Sequence, residues 1–375
     1  MAQDINTTLD DVFKNSTPLG SINNSIGETF YGISQRRQHN AVPINRDDFG
    51  LTFFVRPQLN LSDFNLRPER KFTPLMTLEP ASIQRIIRCL LDPRLTEFNP
   101  AFKSPFVDQQ NAFIPILTNH LISCTGWPDS IVNSFTSKEG VYKEQFGFVD
   151  SVVEEFGSFD LTATFRNMSG DPISLLFSVW QRYCSNVFQG IMSPYPDYIT
   201  NNELDYTTRI YRLVLDKNKR FVQKIGATGA CYPYTVPNGA SFNFDSDKPF
   251  NMSNENIPIV FKCFGYTYCD DILIHEFNKT TQIFNPSMSN EYIDSNMVKI
   301  PFEAIDLFKN KGYPRIDPRT YELLWYVSRD DYVRIVGSYE RHFEALNESR
   351  DVDNKISDSS LPSIEEIQQD SIIRV

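Results

Sequence analysis

The stretch Ser158-Phe159-Asp160-Leu161-Thr162-Ala163-Thr164-Phe165-Arg166-Asn167-Met168-Ser169-Gly170-Asp171-Pro172-Ile173-Ser174-Leu175-Leu176-Phe177-Ser178-Val179-Trp180 decides the fold. Its first half alternates, so Phe159, Leu161, Ala163 and Phe165 share one side of a strand. Asn167 to Gly170 is a polar turn, after which the period becomes helical. Ile173, Leu176, Phe177, Trp180, Cys184, Val187 and Phe188 fall on one helix face. Asp171 is expected as the N-cap, with Pro172 in the first turn, where a missing N–H costs nothing. Gly190 and Pro194 close the helix. A strand followed at once by a one-sided helix predicts a sheet with that helix packed on it.

Working outward, Thr208 to Leu215 alternates again. Tyr211, Leu213 and Leu215 oppose Ile210, Arg212 and Val214, so both faces are expected to be covered. Asp216-Lys217-Asn218-Lys219 is a four-residue turn and Phe221 to Ile225 returns, making a hairpin. Gly226-Ala227-Thr228-Gly229-Ala230 is expected to bend the chain. Phe242 with Phe244, Ile257 to Tyr268 and Ile272 to Phe277 are predicted as further strands. Toward the N-terminus, Leu51 to Val55, closed by Pro57, predicts an edge strand. Ile83, Ile86, Ile87, Leu90 and Leu91 predict a helix between Ser82 and Asp92-Pro93. Asp108 to Ser123 is read as a second helix and Val141 to Val153 as a strand. Beyond Asn278 come a helix over Ile300 to Phe308, a strand over Tyr321 to Val327 and a helix over Arg329 to Leu346.

The expected organisation is an extended arm over 1–50, a mixed helix and strand addition over 51–150, an antiparallel β module over 151–278, an α/β addition over 279–346 and an acidic tail over 347–375. The arms lack periodic apolar patterning and are expected to order only on neighbouring subunits. The fold class is α+β and β-rich: an antiparallel sandwich or barrel with one packed helix, and helical or loop additions at both ends.

Composition agrees with that class. The 375 residues are 41% hydrophobic and 22% charged, too apolar for wholesale disorder. Aromatics reach 13%, with 30 Phe and 17 Tyr, residues that favour strands, cores and interfaces. The net charge of −11 disfavours wholesale binding to a nucleic-acid backbone. No signal peptide is read at Met1-Ala2-Gln3-Asp4, and no apolar run approaches the ~20 residues that span a bilayer, so no membrane partner is expected. The six cysteines are scattered with no CxxC pair, which predicts reduced, mostly buried thiols.

Chemistry-bearing motifs are missing from the sequence: it has no GxSxG, HExxH, GxxxxGKS/T or GxGxxG. None of the four histidines pairs with another His or Cys at metal-ligand spacing. Cys263, Cys269 and His275 are evenly spaced, but on strands they would stretch over about 40 Å, too far for one metal. No catalytic residue, cofactor or metal is therefore expected. The basic cluster Lys217, Lys219, Arg220 and Lys224 lacks the aromatic platforms of a nucleic-acid groove, so a hairpin facing a protein partner is favoured. The candidate subunit contacts are Asp216, Lys217, Asn218 and Lys219 at the turn tip, which should project beyond the module, and Trp127 between Gly126 and Pro128.

From Ser158 to Asn278, about a third of the chain, the order of elements resembles the tube-type module of contractile phage tails. The likeness rests on Gly229-Ala230-Cys231-Tyr232-Pro233, Pro237-Asn238-Gly239, Phe242-Asn243-Phe244, Ile257 to Phe264 and Tyr268-Cys269-Asp270-Asp271-Ile272. Phe53-Phe54-Val55-Arg56-Pro57-Gln58-Leu59-Asn60 is similar to segments of large-phage virion proteins. The resemblance implies a tail tube or baseplate-proximal tube ring that closes with copies of itself, six-fold, and stacks. It implies neighbouring tail-tube, baseplate, sheath or tape-measure proteins, DNA only in passage through a lumen, and no catalysis. It places the protein in the virion tail, and in the host cytoplasm during assembly. The chain is longer than simple tube subunits, which points to a tube initiator, another specialised ring or a decorated tube. A neck or head–tail connector protein, and a soluble enzyme or binding module on the same β core, remain as alternatives.

Overall fold

The computed structural model describes residues 49–98, 102–153, 155–242, 255–308 and 311–339. Expectations for the arms 1–48 and 347–375 lie outside the described residues, as does Phe244. The alternating segments form β1 (Phe49–Phe54), β2 (Leu121–Thr125), β3 (Ser134–Thr136), β4 (Gly147–Val149), β5 (Ser158–Arg166), β6 (Ile210–Leu215), β7 (Val222–Thr235) and β8 (Asn256–Tyr268), then β9 (Met297–Lys299), β10 (Tyr313–Ile316) and β11 (Leu323–Ser328). The main helices are α1 (Ile83–Leu91), α2 (Pro115–His120), α3 (Pro172–Phe188) and α4 (Ile272–Phe284), followed by a helical segment over 329–339.

Six strands make one antiparallel sheet in the order β1-β6-β7-β8-β5-β2. Its outer strand β1 is met at its C-terminal end by a later segment. The Ile114 N–H donates to the Phe54 carbonyl at 2.9 Å and the Arg56 N–H to that of Ala112 at 2.9 Å. The chain then runs through α2 into β2, the strand at the other margin. The sheet curls into a nearly closed antiparallel barrel, which shortens the open edge. Strands from the 51–150 and 151–278 segments share this one sheet.

Helix α3 covers the sheet at one end. Ile173, Leu176, Phe177 and Trp180 are fully buried against Leu161, Phe165, Ile259 and Phe261. Trp180 stacks on Phe177, and its indole N–H donates to the Tyr206 carbonyl at 2.8 Å. Helix α4 covers a second core cluster, where Phe277 meets Phe53, Phe113 and Tyr211. Two buried guanidiniums tie the covering elements together. The Arg56 guanidinium donates to the carbonyls of Leu90 and Cys89, and that of Arg88 to the Leu61 carbonyl and to Asp63.

Several segments depart from the expectation. Asp108 to Ser123 is not one helix: Pro115 starts a short one because it cannot continue one, and Ala112 to Ile114 give their backbone bonds to β1. Within Val141 to Val153 only β4 is strand. Ile272 to Phe277 is not strand but the first part of α4, with Leu273, Ile274, Phe277 and Thr281 buried at helical spacing. Cys263, Cys269 and His275 therefore do not lie on one extended face. Phe242 ends a 3-10 turn, Asn238–Phe242, and Phe302–Phe308 is likewise 3-10. Gly226 to Ala230 does not bend the chain but lies inside the unbroken β7. Gly229 is there because a Cβ would sit 2.1 Å from the Phe264 carbonyl oxygen. Asp171 occupies the N-cap position of α3 with φ +50°, but its carboxylate accepts from the Asn167 amide rather than from the helix. Phe188 is exposed, and Tyr183 and Val179 fill the face instead.

Candidate assembly surface

The chain between Gly126 and Gly157 leaves the barrel as a two-stranded arm. Its ladder pairs Ser134 with Val149, Phe135 with Phe148 and Thr136 with Gly147. Beyond the strands, the Ser137 N–H donates to the Phe146 carbonyl at 2.8 Å, and the Gly140 N–H to that of Glu144 at 3.0 Å. Lys143 at φ +60° turns the tip. All six strand residues are exposed. Among the described residues the apolar side chains find little cover: Val141 is 94% exposed, Tyr142 91%, Phe146 71% and Phe148 59%. The Phe135 and Phe148 rings lie 5.0 Å apart across the ladder. A two-stranded ribbon is marginal alone in water, and an apolar patch of this extent marks a contact surface.

The arm's base is fixed. The Tyr268 hydroxyl donates to the Pro128 carbonyl at 2.8 Å, and the Tyr266 N–H to that of Glu155 at 2.9 Å. Gly126, at φ +100°, passes so close to β5 that a Cβ would lie 2.4 Å from the Asp160 carbonyl oxygen. Trp127 sits at this root, half-buried against the barrel core with its ring 6.1 Å from Tyr268. It positions the arm from beneath.

The Asp216–Lys219 turn lies elsewhere, at the β6–β7 end. Lys217 and Asn218 are exposed. Asp216 folds its carboxylate back onto the N–H groups of Arg220 and Phe221, at 2.7 and 3.0 Å. Lys219, at φ +58°, brings its ammonium 4.2 Å above the Phe49 ring. The returning flank is tied to the segment before β11, where Arg220 meets Glu322 at 2.6 Å and the Val222 N–H donates to the Tyr321 carbonyl. The turn and Trp127 are thus separate features of the fold.

Sequence reasoning missed the arm as a unit. The signal was present as Phe135, Val141, Tyr142, Phe146, Phe148, Val149 and Val152 crowded into a segment without helical period. Among the described residues, no three His, Cys, Asp or Glu side chains gather as metal ligands, and no helix is long and apolar enough to cross a membrane. The titratable groups that shift most lie in the core. Burial raises Asp92 and Asp205 to about 6. Asp92 accepts from the Tyr195 hydroxyl and the Leu61 N–H, and Asp205 from the Tyr183 hydroxyl. Asp92 joins the end of α1 to the loops at Leu61 and Tyr195, Asp205 joins the segment before β6 to Tyr183 of α3, and both are buried.

The described residues thus form a curled antiparallel sheet with α3 and α4 packed on it and an exposed apolar arm. Residues 1–340 match the family described as "Putative phage tail tube protein", and the chain belongs to that family. It is a structural protein of the virion tail. No curated protein matches it. Among solved structures it is similar to the anti-feeding prophage tube-terminating cap, at 11% identity, a TM-score of 0.26, and coverage of 42% of this chain and 81% of that one. The sheath/tube terminator of an extracellular contractile injection system matches at 12% identity, a TM-score of 0.24, and coverage of 42% and 86%. The sheath–tube complex of such a system matches at 13% identity, a TM-score of 0.24, and coverage of 42% and 82%.

Proposed function

We propose that this protein forms a ring of the tail tube by self-association, each subunit laying its 126–157 arm on the next. The observation that carries the reading is the arm itself, an apolar ribbon that the described residues leave exposed. Closed rotational symmetry satisfies every copy of such a heterologous contact, and a six-fold ring is the reading taken here. The ring stacks on neighbouring tail-tube or baseplate rings, with sheath or tape-measure proteins beside it, and conducts DNA without binding it. The acidic balance of the chain suits a surface that a polyanion must pass. Its length beyond a simple tube subunit supports a specialised ring near the baseplate, assembled in the host cytoplasm. No catalysis is assigned.

The test is sedimentation velocity and negative-stain microscopy of the full chain against Phe135→Asp/Phe148→Asp. Wild type should associate into rings or stacks, while the double variant should sediment as a monomer with its melting temperature unchanged. Equal association of the two proteins would remove the arm from the contact. A strictly monomeric wild type at high concentration would refute self-association.

A further inference from the structure

Three of the six cysteines, Cys124, Cys231 and Cys263, pack in the barrel core beneath α3, and two of them face each other. Cys231 of β7 and Cys263 of β8 are direct cross-strand partners. The backbone pattern fixes which kind of partners they are. The Cys231 N–H donates to the Thr208 carbonyl at 2.9 Å, and its own carbonyl accepts the Thr208 N–H at 2.8 Å. Both backbone groups of Cys231 are thus spent on the β6 side. The Cys231·Cys263 pair is therefore a non-hydrogen-bonded site, where Cα atoms approach to about 4.5 Å and side chains are closest. That separation lies inside the range a disulfide spans. The two sulfurs are unbridged and both side chains are fully buried.

We propose that Cys231 and Cys263 are an oxidation site, converted by a peroxide-class oxidant into an intrachain disulfide that staples β7 to β8. One sulfur, as thiolate, attacks a peroxide oxygen. The O–O bond breaks, leaving a sulfenic acid and a hydroxide that takes up the thiol proton as water. The second sulfur attacks the sulfenic sulfur, the S–S bond forms and the S–O bond breaks. The departing hydroxide takes the second thiol proton as another water. Two electrons pass from the sulfurs to the peroxide oxygens, so two thiols and one peroxide give one disulfide and two waters. The polar surroundings tolerate the change. The Cys231 thiol lies 3.1 Å from the Thr208 carbonyl as a donor, and that carbonyl keeps the Cys231 backbone N–H when the thiol proton is lost. The contact with Cys231, followed by burial, holds the Cys263 thiol well above the usual thiol range, so the resting fold reacts slowly and oxidation follows local opening. A cytosol keeps the pair reduced, whereas released particles meet conditions in which disulfides persist.

The experiment uses the full chain incubated with hydrogen peroxide. Samples are quenched in acid, free thiols are alkylated, and peptides are mapped without reduction. Exposed Cys269 serves as an internal clock for oxidant exposure. The expected product is a peptide pair joined through Cys231 and Cys263, lighter by two hydrogens and released by dithiothreitol. It should form more slowly than Cys269 is modified, and it should raise the melting temperature reversibly. Cys124→Ala should retain the link, while Cys231→Ala and Cys263→Ala should each abolish it. Alkylatable Cys231 and Cys263 after Cys269 is consumed would overturn the proposal. So would a bridge to Cys124, or sulfinic acid at either position without a bridge. Wild-type mapping decides the matter even if a core variant fails to fold.

Discussion

Replacing Trp180 with alanine is the sharpest test of how α3 is held to the sheet. The side chain is 0% exposed, lies with its ring parallel to Phe177, and donates its indole N–H to the Tyr206 carbonyl at 2.8 Å. Deleting a buried Trp costs about 3–5 kcal/mol, and the figure rises with the cavity that cannot collapse. Here collapse is hindered, because Phe165, Phe177 and Phe261 already hold one another at centroid distances of 5.5 and 5.6 Å. The Tyr206 carbonyl also loses its donor, a penalty of ~1–3 kcal/mol when the group stays dry. The two terms overlap, so a loss near the upper end, about 5 kcal/mol, is expected. Trp180→Phe separates them: it keeps most of the apolar volume, removes the donor, and should cost about 1–3 kcal/mol. Urea unfolding followed by far-ultraviolet circular dichroism measures both. An alanine variant within ~1 kcal/mol of wild type would show that α3 is not held by this residue. A phenylalanine variant as damaging as alanine would show that the hydrogen bond, not the packing, dominates.

Three further outcomes follow from named contacts. Burial raises Asp92 and Asp205 to about 6 from the ordinary carboxylate value, so the folded state binds more protons than the unfolded state between about pH 4 and 6. Their contribution therefore favours folding at the acid end of that window and is lost as pH rises through 6, by up to ~3 kcal/mol each. Denaturant titrations of wild type against Asp205→Asn should show the difference between them changing in that direction; a difference that is flat with pH would contradict it. Gly229→Ala drives a Cβ to 2.1 Å from the Phe264 carbonyl oxygen and should cost more than ~2 kcal/mol by thermal melting, whereas Gly190→Ala, with nothing nearby but φ +72°, should cost about 1 kcal/mol. At the Asp216–Lys219 turn, Lys217→Glu should leave melting unchanged and weaken association, since its side chain is exposed, while Lys219→Glu also forfeits the Phe49 ring contact, ~0.5–1 kcal/mol. Normal assembly of Lys217→Glu would dismiss the turn as a contact.

What could be read from the residues was whatever carried a long, unbroken period. Strand β5 and helix α3 were legible because four and seven apolar positions respectively agreed on one period, as were β8 and α1. The failures have a common physical form. In Ile272 to Phe277 the first apolar residues suit a strand as well as a helix, and only Thr281, one turn beyond the run, resolves the period. In Asp108 to Ser123 the local pattern is helical, but the backbone of Ala112 to Ile114 is claimed by β1, more than fifty residues earlier in the chain, and no local signal records that. Gly229 reads as a bend because glycine usually marks one, yet its reason is a carbonyl on the neighbouring strand.

The arm shows the same limit at the level of function. Its apolar residues read as candidates for a core, since burial within one's own chain is the usual fate of Phe135, Phe146 and Phe148. What separates an interface from a core is whether the chain itself covers the residue, and that is a property of the assembled sheet. Here the root at Gly126 and Trp127 turns the segment off the barrel, and its aromatic side chains stay exposed. The charged turn at Asp216 was the more visible feature in the sequence because polarity between two strands announces exposure directly. Exposed charge pairs contribute little each. Desolvating an aromatic ribbon on a neighbouring subunit contributes far more per residue. On magnitude alone the arm, not the turn, should dominate subunit association, with the turn tuning its salt dependence. Raising ionic strength should then leave association largely intact in wild type, whereas Phe135→Asp/Phe148→Asp should abolish it at any salt.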